Sequence, residues 1–107
     1  MSELSLTIAK VILLKCWSIS NKLPSLHQLL YADNNDIIAV TETWLKQQYT
    51  NGLIDPDGHY HVIRCDSEGK ADGGVCLLVK RNINISNVDI VTGVEMVCVY
   101  IVADNRQ

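Results

Sequence analysis

The chain has 107 residues, enough for one domain around one core. Its 48% hydrophobic and 20% charged residues exclude a disordered chain. A formal net charge of −3 excludes a polycation drawn to nucleic acid by overall charge, so any DNA contact needs a local basic patch or a metal ion.

The basic residues that offer such a patch are few. Lys10, Lys15 and Lys22 come early, then Lys80 and Arg81, and each taken alone reads as a solvated surface charge. Phe is absent, so Ile, Leu and Val carry the packing, in short runs that favour strands with some helix. The four cysteines, Cys16, Cys65, Cys76 and Cys98, form no C-x-x-C pair. A zinc site therefore has little support, and their apolar settings suit small buried side chains in a reducing compartment. Glu3 and Lys10 interrupt the apolar N-terminal stretch, no small-residue cleavage site follows, and no run approaches a bilayer span. These features predict an intracellular chain with no membrane partner. The sequon Asn84-Ile85-Ser86 matters only in a secreted protein.

Residues 4–16 alternate at first (Leu4, Leu6, Ile8) and then run apolar from Val11 to Leu14. This pattern predicts a strand that becomes buried on both faces, with a helix as the alternative for so short a run. Residues 21–31 change period: Leu23, Leu26, Leu29 and Leu30 recur at helical spacing. Pro24 suits a first helical turn, and Asp33, Asn34 and Asn35 end the helix. Residues 36–41 predict a second strand, through Ile37, Ile38, Ala39 and Val40. Strand, helix and strand at this spacing predict a right-handed βαβ unit. The second strand then delivers Thr41-Glu42-Thr43-Trp44 at its carboxyl end, where open α/β sheets gather their chemistry, which singles out Glu42.

Residues 46–59 are polar, with turn signals at Asn51-Gly52 and Pro56-Asp57-Gly58. Asp55 and Asp57 read as turn residues there. Residues 60–65 and 75–79 predict an antiparallel hairpin around a turn-rich loop, residues 83–91 remain ambiguous, and residues 95–102 alternate as a last strand. His59 and His61 would share one side of a strand, but no third metal ligand is predictable, and His27 reads as a surface residue of the helix. With no repeat or linker, residues 1–107 read as one domain of α/β class, a mixed β-sheet with a βαβ start followed by antiparallel strands.

Several segments also resemble a known family. Ser18-Ile19-Ser20-Asn21-Lys22, the Leu-rich helix, and Asp36 through Thr41-Glu42-Thr43-Trp44-Leu45 closely resemble the opening of the endonuclease/exonuclease/phosphatase domains of non-LTR (LINE-type) retrotransposons. Pro56 to Tyr60, Arg64-Cys65-Asp66, Gly73-Gly74-Val75 with Val79-Lys80, and Glu95-Met96-Val97-Cys98-Val99 resemble the later pieces of that pattern. The T-E-T-W-L segment is the specific part. The resemblance, over residues 6–102, implies the N-terminal portion of an αββα-type sandwich. It also implies Mg²⁺ as cofactor, DNA as partner, phosphodiester hydrolysis as reaction, and Glu42 as a metal ligand. Mg²⁺ is usually held by one or two carboxylates, with waters and substrate phosphate completing its shell.

The chain departs from the family pattern at the end of the first strand. The family's active-site Asn, in N-x-R-S, is matched by Lys15 in Lys15-Cys16-Trp17-Ser18, with Trp17 at the Arg. Lys has no amide oxygen to orient a ligand, and its charge would pair with Glu42 and compete with the metal. Asp72 replaces the first Gly of G-G-G, and Cys65 stands where the family pattern would have an Arg. The G-D-F-N-like and S-D-H-like pairs of the family's second half are absent, so the chain is expected to be inactive as it stands. The alternative is a non-catalytic, degenerate fragment that acts through self-association or protein binding. Half of a two-sheet sandwich leaves an apolar sheet face uncovered, which predicts a homodimer or poor solubility.

Overall fold

The computed structural model describes residues 10–32, 35–70 and 72–102. Its strands are β1 (Val11–Lys15), β2 (Ile37–Thr41), β3 (Tyr60–Cys65), β4 (Val75–Lys80), β5 (Ile85–Val91) and β6 (Met96–Ile101). Its helices are α1 (Leu23–Tyr31) and the short α2 (Asn51–Ile54), with 3₁₀ turns at Ile19–Asn21 and Thr92–Val94. Four strands form a sheet in the order β1-β2-β4-β3, and β5 and β6 form a separate antiparallel pair. The fold is α/β, as the sequence predicts. β1 and β2 run parallel with α1 between them in sequence, and β2, β4 and β3 pair antiparallel.

The pleat sorts the apolar residues. Ile38, Val40, Cys76 and Leu78 share one sheet face and pack on Ile19, Leu26 and Leu30, which also meet Ile54 and Tyr60 in one buried cluster. Tyr60 ties this face to the helix: its hydroxyl is shared between Leu30 O (3.2 Å) and Asn35 O (3.1 Å). Pro24 sits in the first turn of α1, where its missing N–H leaves nothing unpaired. At the other end, the Asn35 amide reaches back to Leu29 O at 2.8 Å and takes one of the helix's orphan carbonyls. The neighbouring breakers Asp33 and Asn34 lie outside the described residues, as does the alternating stretch Leu4, Leu6 and Ile8.

Three expectations change in the structure. β1 is not covered on both sides: Val11 is 59% exposed and Leu13 72%. β1 lies at the sheet edge, α1 covers only its Ile12 and Leu14 side, and the β5–β6 hairpin packs toward β3 and β4. Asn51-Gly52 opens the helical turn of α2 rather than a simple turn, because Ile54 is fully buried and tertiary packing outweighs local preference. His27 is half-buried rather than free on the surface, with Nε2 3.1 Å from Leu53 O, which joins α1 to α2.

The ambiguous residues 83–91 contribute β5, paired with β6 and with a register shift between Ile85 and Asn87. All four cysteines are free thiols; Cys16, Cys65 and Cys76 are buried, and Cys98 is half-buried. Burial pushes the Cys76 thiol up to about 12, so it packs as an inert apolar group. Among the described residues, no helix is long and apolar enough to cross a membrane.

The two sheet faces should respond differently to truncation. Leu78→Ala empties a fully buried position and should lower unfolding free energy by about 2–5 kcal/mol. Leu13→Ala, at an exposed position, should change it by less than about 0.5 kcal/mol. Urea denaturation of both variants checks this, and equal losses would refute the one-sided core.

Candidate functional site

The chemistry singled out by sequence lies where β1 and β2 end side by side, with Lys15 level with Thr41 in the parallel register. Hydrogen bonding continues past both strand ends. Cys16 N donates to Thr41 O (2.8 Å), Ser18 N to Glu42 O (2.9 Å) and Ile19 N to Thr43 O (2.8 Å). On the opposite edge, Thr43 N donates to Gly74 O (3.3 Å) and Trp44 N to Gly73 O (2.8 Å). Residues 42–44 are thus held on both sides although they are not a strand.

Left-handed backbone is the reason strand geometry stops here. Trp17 (φ 53°), Ser18 (85°), Glu42 (55°) and Trp44 (57°) all have positive φ. For non-glycine residues each such conformation costs roughly 1–2 kcal/mol, which the surrounding bonds must offset. Thr43, between Glu42 and Trp44, is buried and anchors the segment, its Oγ1 accepting from Leu45 N at 3.3 Å. Gly74 makes this possible, since a Cβ there would lie 2.6 Å from Thr43 Oγ1.

Glu42 is half-buried, and its Oε1 accepts a hydrogen bond from Trp44 Nε1 at 3.0 Å. Its second oxygen accepts none from the described residues. Two residues apart, the acid and the indole of T-E-T-W-L therefore orient one another. Lys15 does not pair with Glu42. Its Nζ lies over the Trp17 ring, 4.5 Å from the centroid, a cation–π contact that lets the ammonium stay hydrated on its outer side. The ion pairs among the described residues are Arg64–Asp66 (2.6 Å) and Lys70–Glu95 (3.7 Å).

Two side chains without an expected role brace the loops. Arg64 donates to both Asp66 oxygens, to Tyr49 O (2.6 Å), to Asn51 Oδ1 (3.1 Å) and to Lys46 O (2.8 Å), fixing the chain that follows Leu45 onto β3. Glu95 accepts from Gly74 N (2.8 Å) and Ser67 Oγ (2.9 Å). The Gly74 N–H and then the Ser67 hydroxyl hold its carboxyl below the ordinary value, because both bonds favour the charged form. In the sequence, Glu95 is one acid at the head of an alternating strand, and nothing local marks its partner.

The donor set suits a hard cation only in part. Glu42 offers one free carboxylate oxygen, the kind of ligand Mg²⁺ takes, but no three His, Cys, Asp or Glu side chains gather to hold an ion among the described residues. His59 is exposed and His61 half-buried on β3, and neither joins such a group; Asp55 spends Oδ2 on Tyr60 N (2.8 Å).

Residues 16–104 match the sequence profile of the Endonuclease/Exonuclease/phosphatase family. No curated protein matches the chain closely enough to count as a relative. Among solved structures, it is similar to the 3′ phosphatase NExo from Neisseria bound to a product DNA hairpin (TM-score 0.64, 20% identity). It is also similar to an AP endonuclease from Archaeoglobus fulgidus (TM-score 0.62, 20% identity). In both cases the likeness covers 78% of this chain and 31% of the other, so the chain spans about a third of the length of these structures.

The left-handed backbone at Glu42 is open to a direct check. Glu42→Gly should be more stable than Glu42→Ala by about 1 kcal/mol, because only the alanine keeps the Cβ that makes positive φ costly. Equal midpoints in thermal denaturation would refute the strained geometry.

Proposed function

Since this chain belongs to the endonuclease/exonuclease/phosphatase family, we propose that it is the N-terminal portion of a Mg²⁺-dependent DNA endonuclease domain of the non-LTR retrotransposon type, inactive by itself. Residues 1–107 are then part of one incomplete domain. The observation that carries this reading is the Glu42 corner. The acid of T-E-T-W-L stands at the carboxyl end of β2 with one oxygen fixed by Trp44 and the other open. In this reading Glu42 is a metal ligand. When bound, the ion would polarise the scissile phosphodiester and steady the leaving oxygen.

This chain's own residues supply orientation rather than proton transfer. Trp44 aims the Glu42 carboxylate, and the bonds to Gly73, Gly74, Ser18 and Ile19 fix the backbone beneath it. Lys15, at the family's Asn position, donates only and leaves the corner without an amide oxygen. Proton transfer to the leaving oxygen would need a general acid or base in addition to Glu42. DNA as the substrate is supported by the DNA-bound state of the Neisseria neighbour.

The experiment is a Mg²⁺-dependent nicking assay on supercoiled and abasic-site DNA with Glu42→Ala as control. The expected outcome is no cleavage that depends on Glu42. Cleavage abolished by Glu42→Ala would show that a reduced or shared active site operates.

The exposed apolar surface favours a second reading, a non-catalytic fragment that associates with itself. Val11 and Leu13 on β1, and Ile90, Met96 and Tyr100 on the hairpin, are all exposed. Light scattering at increasing concentration should then show a homodimer or larger species. A monodisperse monomer with low binding of a hydrophobic dye would rule this reading out.

A further inference from the structure

Five non-glycine residues have positive φ among the described residues, and four of them form the corner around Glu42. The fifth is Glu95 (φ 51°), in the turn before β6 of the second sheet. A short relay of hydrogen bonds joins it to the corner. Glu95 Oε1 accepts from Gly74 N at 2.8 Å, and Trp44 N donates to Gly73 O at 2.8 Å. The Gly73 carbonyl and the Gly74 N–H belong to one peptide unit. That unit is therefore gripped at both ends, by a carboxylate on one side and by the backbone of Trp44 on the other. A negative charge on the N–H side polarises the amide and strengthens its carbonyl as an acceptor. From Trp44 the relay reaches Glu42 through the indole.

The local stereochemistry is built around this contact. A Cβ on Gly73 would lie 2.9 Å from Glu95 Oε1, so the absence of a side chain admits the carboxylate. Ser67 Oγ at 2.9 Å and Lys70 Nζ at 3.7 Å hold the second oxygen. One oxygen of Glu95 thus braces a glycine peptide that has no other side-chain support in the described hydrogen bonds, and the other oxygen is anchored by Ser67 and Lys70.

We propose that Glu95 is a positioning residue for Glu42: from the turn before β6 it fixes the Gly73–Gly74 peptide, that peptide sets the backbone of Trp44, and the Trp44 indole sets the direction of the Glu42 carboxylate. The role assigned to Glu42 as a metal ligand is the one reached above, and the positioning claim rests on it. The β5–β6 hairpin then contributes to the corner through one side chain, although neither of its strands pairs with β1 or β2.

The test uses the full chain, with Glu95→Ala, the conservative Glu95→Gln, Glu42→Gln, and Tyr60→Phe as a core control that does not touch the relay. Amide exchange by NMR reads the Thr43 and Trp44 N–H groups and the Trp44 indole N–H. Broadening of the indole signal by Mn²⁺, reversed by a chelator, reads metal at Glu42. Glu95→Ala should speed exchange at Trp44 by about tenfold or more relative to Ile38 and Leu78, and weaken the Mn²⁺ effect. Glu95→Gln, which keeps an acceptor for Gly74 N, should recover most of both, and Tyr60→Phe should leave the ratio of Trp44 to Ile38 exchange unchanged. Uniform acceleration across the sheet in Glu95→Ala, or the same ratio change in Tyr60→Phe, would overturn the proposal. If Glu95→Ala does not fold, Glu95→Asp, whose shorter side chain cannot reach Gly74 N in the same way, should speed exchange at Trp44 selectively, and unaltered Trp44 protection in it overturns the proposal. An absence of Mn²⁺ broadening in the unmodified chain would sink the metal-ligand reading of Glu42, while the exchange ratios would still decide the positioning of Trp44.

Discussion

The arrangement around Glu42 depends on the continued hydrogen bonding of a segment that has left strand geometry. Residues 42–44 donate to Gly73 and Gly74 on one edge and accept from Ser18 and Ile19 on the other. Without those bonds, positive φ at Glu42 and Trp44 would relax to ordinary backbone, and the acid would swing with it. The parallel pairing of β1 and β2 makes this possible. It brings two strand ends to the same edge, so the chains leaving them run side by side and can keep bonding.

The hydrophobic layer beneath holds that edge in place. Ile38 and Val40 sit on β2 immediately before Glu42, and Leu45 is buried immediately after Trp44. The corner is therefore pinned at both ends by buried side chains, with Thr43 buried between the half-buried Glu42 and Trp44. On the opposite face the sheet is only partly covered. Cys65 is buried, its Sγ 3.9 Å from Val91 O, where the hairpin crosses, whereas Val11 and Leu13 on the far edge face solvent. An apolar edge strand exposed in this way carries unpaired backbone groups beside apolar side chains.

Charge plays a smaller part than the sequence suggested. Lys15 rests on Trp17 instead of neutralising Glu42. The groups that do interact strongly, Arg64 and Glu95, brace loops. Each satisfies backbone groups of a loop that has no sheet partner of its own, a use of charge that stabilises through charge-assisted hydrogen bonds more than through ion pairing.

The sequence by itself determined the elements with strong periodicity. The 3.6-residue recurrence of Leu23, Leu26 and Leu30 is α1, the apolar run from Ile37 to Val40 is β2, and the alternation from Met96 is β6. It also placed Glu42 at a strand's carboxyl end, because Thr41-Glu42 directly follows the apolar run in chain direction. Tertiary structure decided what depends on distant partners. Whether β1 is covered turns on its place at the sheet edge, α2 forms because Ile54 finds the core, and His27 is drawn to Leu53 across the helix pair. Lys15 and Glu95 show the same limit most sharply. A lysine's choice between a carboxylate and an indole, and a carboxylate's reach to a glycine N–H 21 residues away, are set by backbone directions that no local pattern encodes.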